Sequence, residues 1–229
     1  MNSPVRSVVL VCALTLCASV ACAQRAPFPA RRLYMELHAA SQRYAFVYSS
    51  GSPHKPTVGP AKVNIGYFVS PRLALQVGIL YRTKEINQTS TGTTIAGIPS
   101  QTKRKKEEWT TVLPVLARYS LVAVSERLKV DVLGGVTLLQ SRFNSTRTTT
   151  EGGQVVEDVQ SSEKATATYA TGGLGLRYAL GRKKRLELVS DATISRNTAG
   201  LSPSVARYLL IPKWGGTSAL SIGMRYNIR

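Results

Sequence analysis

The most regular feature of this sequence is the alternation of apolar and polar residues along short segments. In Leu220–Ile228 every second residue is apolar, and Ser221, Gly223, Arg225 and Asn227 occupy the positions between them. Strict alternation is typical of a β-strand whose two faces meet different media. Because such segments recur along the chain, the pattern predicts a barrel that crosses a membrane, with apolar side chains toward lipid and polar ones inside.

Eight segments carry this pattern and predict an all-β fold, an eight-stranded antiparallel transmembrane up-and-down β-barrel. Most of them have at least the roughly 9 to 11 residues that a tilted strand needs to cross a bilayer. The predicted strands are Leu33–Phe46, Ala61–Ser70, Arg72–Ile86, Glu108–Leu121, Arg127–Phe143, Lys164–Leu180, Arg185–Arg196 and Thr217–Ile228.

The connections between these strands alternate between tight turns and long segments rich in Ser, Thr, Gly and Pro. The long ones are Tyr48–Pro60, Asn87–Glu107, Asn144–Glu163 and Asn197–Gly216. Short periplasmic turns and long external loops are the usual asymmetry of transmembrane barrels. We therefore expect the long segments to be external, and the two Ser/Thr-rich middle ones to be mobile loops.

Two places interrupt the alternation. The strand that begins at Leu33 starts in one register, whereas Tyr44 and Phe46 follow the other, which predicts a bulge near residues 40–43. Pro114 lies inside the fourth strand, where it cannot donate a ladder hydrogen bond. It predicts a second local bulge.

The N-terminal segment predicts export. Arg6 precedes an apolar or small run from Val8 to Val20, and Ala21-Cys22-Ala23 then supplies the small residues typical of a cleavage site. We expect residues 1–23 to be a signal peptide and residues 24–229 to form the barrel domain. Lipidation at Cys22 is the alternative. All three cysteines lie in this segment, so a chain cleaved after Ala23 holds no disulfide.

The chain is strongly basic, with 30 Lys and Arg against 12 Asp and Glu and a formal net charge of +18. Such a charge indicates anionic partners, and nucleic acid is the first class to consider. A signal peptide argues against nucleic acid, because the abundant polyanions outside the cytoplasm are lipopolysaccharide phosphates and lipid headgroups. Membrane lipid and lipopolysaccharide are therefore the predicted partners.

Six aromatic residues have the outward parity of their strands near a strand end. Interfacial aromatic girdles are typical of membrane barrels, although tyrosine also favours strands in general. Tyr67, Tyr119, Tyr178 and Tyr226 predict a girdle at the periplasmic side, and Trp109 and Trp214 predict a second one at the opposite side.

The inward parity predicts a lumen network of charged residues, namely Glu36, Asp131, Glu187 and Asp191 with Arg118, Lys129, Arg177 and Arg225. Side chains can fill the interior of an eight-stranded barrel, and balanced charge suits a desolvated interior because an unpaired buried charge is costly. We expect Glu36 to pair with Arg225 across the seam where the barrel closes. The network favours a polar plug, and the alternative is a path for protons or ions.

Three stretches carry a resemblance to a known family. Ile65–Tyr81, Leu113–Tyr119 and Gly172–Tyr178 resemble the small outer-membrane β-barrel proteins of bacteria, particularly those of the Bacteroidetes type. The resemblance covers nearly the whole chain after the signal peptide and implies location in the outer membrane of a Gram-negative cell. Its motifs are structural rather than catalytic, so it implies a fold whose members differ in function.

Some small barrels of this kind modify lipid A with a histidine beside a serine at the outer membrane surface. The two histidines of this chain are His38, on the first predicted strand, and His54, in the first external loop near several serines. A loop rich in serine gives this arrangement without any catalytic role. No spacing of His and carboxylates suggests a metal, and we expect no cofactor.

The remaining candidate is a basic stretch in the second long segment, formed by Lys103, Arg104, Lys105 and Lys106. It could bind lipopolysaccharide phosphates or be a solvated charge run. We therefore predict a monomeric, non-enzymatic outer-membrane barrel with a plugged polar lumen, presenting external loops to lipopolysaccharide or to an envelope or surface protein. The alternatives are an outer-leaflet lipid-modifying enzyme and a narrow porin-like channel.

Overall fold

The computed structural model describes residues 33–47, 53–54, 57–93, 97–181, 185–198 and 216–228. The predicted signal peptide and Trp214 lie outside these ranges. Within the described ranges no helix is long and apolar enough to cross a membrane.

The described chain forms strands joined by turns. In chain order they are β1 (Leu33–Arg43), β2 (Phe46–Val47), β3 (Pro53–His54), β4 (Thr57–Val58), β5 (Ala61–Phe68), β6 (Leu73–Thr93), β7 (Pro99–Ala123), β8 (Leu128–Glu151), β9 (Gln154–Leu180), β10 (Leu186–Asn197) and β11 (Gly216–Ile228).

Eight of these strands close into a ring. β5 to β11 pair in sequence order, and β1 pairs antiparallel with β5 on one side and with β11 on the other. The short strand β4 adds two residues beside the upper end of β1. The prediction of an eight-stranded antiparallel barrel is confirmed.

Alternation of burial along each barrel strand separates an apolar outside from a filled inside. In β1 the pattern alternates without a break from Leu33 to Arg43. Outward side chains remain exposed although they are apolar, for example Leu37 at 62%, Leu174 at 58% and Leu220 at 59%. A continuous apolar belt of this kind would be unstable in water and matches the hydrocarbon of a bilayer.

The described residues of the two Ser/Thr-rich segments predicted as loops, Asn87–Glu107 and Asn144–Glu163, are strands joined by short turns instead. They prolong β6, β7, β8 and β9 beyond the belt as one four-stranded sheet, paired in ladders with a single register shift, at Thr149/Thr150 of β8. We call this the external sheet. It comprises Glu85–Thr93 of β6, Pro99–Glu107 of β7, Asn144–Glu151 of β8 and Gln154–Ser162 of β9.

The external sheet forms despite its polar sequence because threonine is β-branched and favours strands. The hydroxyls of Thr102 and Thr149 meet across β7 and β8 at 3.4 Å. Gly152 and Gly153 turn the chain between β8 and β9 with φ of 57° and 86°, as a two-residue hairpin turn with two positive φ angles requires.

Both predicted bulges are wrong in position. The register change in the first strand comes after β1 has ended, at Tyr44 and Ala45, where consecutive side chains are buried. Pro114 stays in register with Thr137 of β8, while the ladder toward β6 lacks two pairs without any shift. The bulge of β7 lies instead at 120–122, near its periplasmic end.

Candidate functional site

The lumen holds a charged network whose lowest part centres on Arg177. Its Nη2 donates to Oδ1 of Asp131 at 2.7 Å and to Oγ of Ser120 at 2.6 Å, and its Nε also donates to Asp131. Ser120 Oγ donates in turn to Asp131 at 2.9 Å. Arg177 Nη1 reaches Glu187 at 3.4 Å. The guanidinium therefore joins carboxylates of β8 and β10 through the interior.

Arg118 of β7 is the centre of the network. Its Nη1 donates to Asp131 at 3.1 Å, and its Nη2 donates to both oxygens of Asp191 at 3.0 and 2.9 Å. Its Nε donates to Gln76 at 3.2 Å, and Nη2 lies 3.9 Å from Glu36. With 1% of its surface exposed, Arg118 has exchanged its water for carboxylates and an amide, as a buried guanidinium requires.

Arg225 closes the network across the seam between β1 and β11, where it is the register partner of Glu36. Its Nε and Nη2 donate to Glu36 Oε1 at 2.7 and 2.5 Å, and Nη1 reaches Glu187 at 3.5 Å. Its guanidinium lies 3.8 Å from the ring centroid of Tyr34. Asn64 of β5 donates to the other oxygen of Glu36 at 2.7 Å.

One predicted member lies apart from this network, and one buried cation was missed. Lys129 is half-buried near the start of β8, and no carboxylate of the described residues forms an ion pair with it. Lys62 of β5 is instead buried to 2% exposure. Tyr67 of the same strand faces lipid, and Lys62 lies five positions before it, so strand parity alone would have predicted that Lys62 points inward. The four buried carboxylates thus share the lumen with three arginines and Lys62.

The upper lumen is apolar, so the predicted polar plug describes only its lower part. Leu80, Val112 and Leu139 point inward from three neighbouring strands, and Tyr44 and Phe46 fold in beside them after β1 ends; Ala40, Val58, Ala165 and Tyr169 complete the cluster. Tyr169 donates its hydroxyl to the carbonyl of Ala45 at 2.8 Å. Tyr44, Phe46 and Val58, from the described residues between β1 and β5, therefore cover the interior from above.

His38 lies inside the barrel. It is 1% exposed, its Nε2 lies 3.0 Å from Glu36 Oε2, and its Nδ1 has no hydrogen-bond partner. His54 pairs with Phe46 in the small β2–β3 ladder. A histidine that acts on lipid must reach the membrane surface, and His38 is sealed from it.

One group of potential metal ligands occurs in the lumen, which residue spacing did not indicate. Donor atoms of Glu36, His38 and Asp191 lie within 4.8 Å of one another. Arg225 and Arg118 already donate to the two carboxylates. The surrounding guanidinium charge therefore disfavours a cation in this group.

The basic stretch is divided between the two faces of the external sheet. Lys103 and Lys105 share the outward parity of the lipid belt, whereas Arg104 and Lys106 share the parity of the lumen. Arg104 lies opposite Arg147 of β8, and Arg147 pairs with Glu157 at 3.5 Å. The four cations therefore do not form one cluster.

Lys105 has carboxylate partners of its own. Its Nζ lies 2.5 Å from Glu107 and 3.5 Å from Glu85. The bond with Glu107 raises the pKa of Lys105. A hydrogen bond from Asn87, followed by the charge of Lys105, lowers the pKa of Glu85. All of these groups are solvated, so the pairs orient side chains more than they stabilise the sheet.

The predicted girdle residues that the structure describes face outward. Tyr67, Tyr178 and Tyr226 are 44%, 41% and 46% exposed, and Tyr119 is half-exposed. Each lies near the periplasmic end of its strand. Trp109 faces outward at the other end of the belt, next to Thr83 and opposite Arg142.

Residues 9–201 match the family described as outer membrane protein beta-barrel domain. No curated protein matches the sequence. The solved structures that resemble this fold include Ail of Yersinia pestis (10% identity, 86% of this chain and 99% of that chain, TM-score 0.39). Another is the Neisserial surface protein A (15% identity, 86% and 97%, TM-score 0.36). A third is a major outer membrane protein of Thermus thermophilus (11% identity, 86% and 99%, TM-score 0.41). The narrower prediction of a Bacteroidetes-type barrel stays a prediction.

Proposed function

Because this chain belongs to the outer membrane protein β-barrel domain family and therefore lies in the outer membrane, we propose that it is a non-enzymatic surface scaffold. Its barrel anchors the external sheet, and the external sheet binds anionic partners at the cell surface. Lipopolysaccharide of the same membrane is the partner whose chemistry fits best.

The length of the central strands carries this proposal. β7, β8 and β9 have 25, 24 and 27 residues, whereas a tilted strand crosses the bilayer with roughly 9 to 11. The part of β6 that extends beyond the membrane runs from Glu85 to Thr93, and it is about 27 Å long at about 3.3 Å per residue. Spanning the membrane does not require it, and a sheet with solvated faces is suited to recognition.

The filled lumen supports a role outside the barrel. Arg118 and Arg225 expose 1% and 0% of their surface, so water does not reach the guanidinium layer. Above them lies the apolar cluster around Tyr44 and Tyr169. Conduction would require both layers to move, and the buried His38 offers no access to lipid. The lumen therefore serves to stabilise the barrel.

The external sheet has no net charge, with five cations and five carboxylates, and the support for an anionic partner comes from its three cations that form no ion pair with a described carboxylate. Lys103 faces outward, and Arg104 and Lys106 face the other side. Arg104 lines a groove of about 240 Å³ with Gln88 and Thr102. Hydroxyl and amide groups beside a guanidinium are suited to phosphorylated sugars, which need both hydrogen bonds and charge.

A shortened variant tests the proposal. Residues 86–106 and residues 145–161 are each replaced by Asn-Gly, which joins the register pairs Glu85–Glu107 and Asn144–Ser162 by two-residue turns. Both proteins are placed in zwitterionic nanodiscs and titrated calorimetrically with the phosphorylated oligosaccharide of lipopolysaccharide. Altered mobility of the unboiled protein on a gel verifies the folded barrel.

We expect heat of binding for the full chain, its loss after phosphatase treatment of the ligand, and no binding by the shortened variant. Equal binding by both proteins would refute the external sheet as the binding element. Reproducible single-channel steps in planar bilayers would refute the filled lumen. Lipid A masses that change with the chain and revert in His38→Ala would replace the scaffold with the enzyme.

A further inference from the structure

A row of outward side chains crosses four strands at the base of the external sheet. Thr83, Trp109, Arg142 and Lys164 are consecutive register partners on β6, β7, β8 and β9. The neighbours Thr110, Ser141 and Ala165 are buried in the interior. All four side chains of the row therefore lie on the lipid-facing side of the barrel.

Arg142 and Lys164 form a like-charge pair in this row. They lie directly opposite each other in an antiparallel ladder, an arrangement that destabilises a sheet unless a counter-charge is present. No carboxylate of the described residues forms an ion pair with either cation. The outward carboxylates above them, Glu85 and Glu107, are instead paired with Lys105. The sheet thus presents two adjacent positive charges without a partner carboxylate of their own.

The backbone of the pair lies just above the headgroup region, within reach of its phosphates. Arg142 lies four residues beyond Leu138, which is 46% exposed as a late member of the apolar belt on β8. Four residues span about 13 Å along a strand, or about 10 Å along the membrane normal at a tilt of about 40°. Headgroups occupy the first 5 to 8 Å or so beyond the hydrocarbon. Long basic side chains at this height reach down to lipid phosphates.

A polar groove of about 400 Å³ continues upward from Arg142. Arg142 lies at its lower end, and the paired Lys105 and Glu107 and the outward Asn144, Thr146, Gln160 and Ser162 also line it. Ser162 donates its hydroxyl to the side-chain oxygen of Asn144 at 2.8 Å, which leaves the Asn144 amide group free to donate into the groove. Amides and hydroxyls above Arg142, with Lys164 as its neighbour in the ladder, match a phosphorylated sugar headgroup.

We propose that Arg142 and Lys164 together bind a phosphate of an outer-leaflet glycolipid, whose sugar occupies the groove above them. This inference rests on the proposed function, because it names the contact through which the base of the external sheet engages its anionic partner. The bound phosphate supplies the counter-charge that the pair lacks, and the neighbouring Trp109 holds the row at the interface.

The test compares Arg142→Gln/Lys164→Gln with the matched control Arg82→Gln/Lys84→Gln, which removes two cations of lumen parity on either side of Thr83. Each protein is reconstituted in vesicles of phosphatidylcholine alone, with added lipid A, and with lipid A lacking its phosphates. The unfolding midpoint is followed by gel mobility. Inorganic phosphate added to phosphatidylcholine vesicles separates a free anion from a lipid. Titration of lipid A into nanodiscs gives the apparent affinity.

We expect the sign of the effect to depend on the lipid. In phosphatidylcholine the Arg142→Gln/Lys164→Gln protein unfolds at or above the midpoint of the wild type, because a repulsion is removed. With phosphorylated lipid A it unfolds below the wild type, and its affinity falls about fivefold for each cation removed. The control keeps the wild-type shift. Lipid A without phosphates shifts none of the proteins.

An equal lipid A shift in wild type and in Arg142→Gln/Lys164→Gln would overturn the inference, as would an equal loss in the control. A shift produced by inorganic phosphate alone would overturn the assignment to a lipid. The shortened variant, which keeps Arg142 and Lys164, separates the two proposals. If it retains the lipid A shift while losing oligosaccharide binding, both stand. If the Gln pair has no effect while shortening abolishes binding, only the inference fails.

Discussion

The ion pair across the barrel seam gives the sharpest stability prediction. Arg225→Met removes two hydrogen bonds to Glu36, of 2.7 and 2.5 Å, and leaves that carboxylate 2% exposed. Breaking a buried pair by removing one partner costs about 3–5 kcal/mol, because the remaining charge has lost its counter-charge. Glu36 keeps Asn64 at 2.7 Å and a distant Arg118 at 3.9 Å, so we expect the lower end of that range.

A double-mutant cycle is completed by Glu36→Gln, made alone and combined with Arg225→Met. Gln at this position keeps the amide and imidazole contacts while it removes the charge, so the double variant has no unpaired ion at the seam. Glu187 retains Arg177 at 3.4 Å in every variant. We therefore expect the double variant to be more stable than Arg225→Met by about 1–3 kcal/mol.

Urea unfolding in lipid vesicles, followed by gel mobility of unboiled samples, measures the three variants against the wild type. Asn227→Ala, on the same face of β11, controls for disturbance of the strand. Additive losses in the double variant would refute coupling across the seam. A wild-type midpoint for Arg225→Met would refute the claim that the lumen is desolvated.

Three further outcomes follow from local contacts. The pKa of Glu85 is lowered, so its contribution to the external sheet is complete above its ordinary pKa of about 4.3 and is lost as the pH falls through the lowered value. Hydrogen-exchange protection of β6–β7 should therefore stay constant from about pH 5 to 7. Lys105→Gln should move the loss of this protection to higher pH. Gly223→Ala should lower the free energy of unfolding by at least about 1–3 kcal/mol, because the added Cβ would collide with the backbone carbonyl oxygen of Leu37. Gly134→Ala is the control, because a Cβ at that position meets nothing within 4 Å. Tyr169→Phe should lower the unfolding free energy by about 1 kcal/mol through loss of its 2.8 Å bond, and an unchanged midpoint would contradict that role.

The barrel could be predicted from the sequence because strand parity fixes which medium each side chain meets. Once Tyr226 faces lipid, Arg225 must face the interior, and antiparallel closure brings it to β1. The same rule applied to β5 would have placed Lys62 inside. Lys62 was missed because the four lumen carboxylates were already balanced when Lys129 was counted with the three arginines. Lys62 also lies near the end of its strand, where parity determines burial less firmly than it does at mid-strand.

The external sheet and the upper plug could not be predicted in this way. Both faces of the external sheet meet water, so no apolar alternation identifies its strands, and Thr-rich segments are compatible with loops and strands alike. The plug depends on a turn of the chain at Tyr44 that brings it over Leu80 and Leu139. Such a contact between distant segments has no periodic signal.

The continuity of barrel and external sheet has a consequence for binding. Because the ladders of β6 to β9 have no register shift between the belt and the row of Arg142 and Lys164, the height of these two residues above the belt is set by hydrogen-bond ladders. Cations on mobile loops would average over many heights and bind phosphate with an entropic cost. The buried lumen charges balance, so the positive excess of this chain lies on surfaces such as this one. A rigid pair of cations just above the headgroups reaches lipid phosphates from a fixed height, and this favours lipid phosphate over soluble anions.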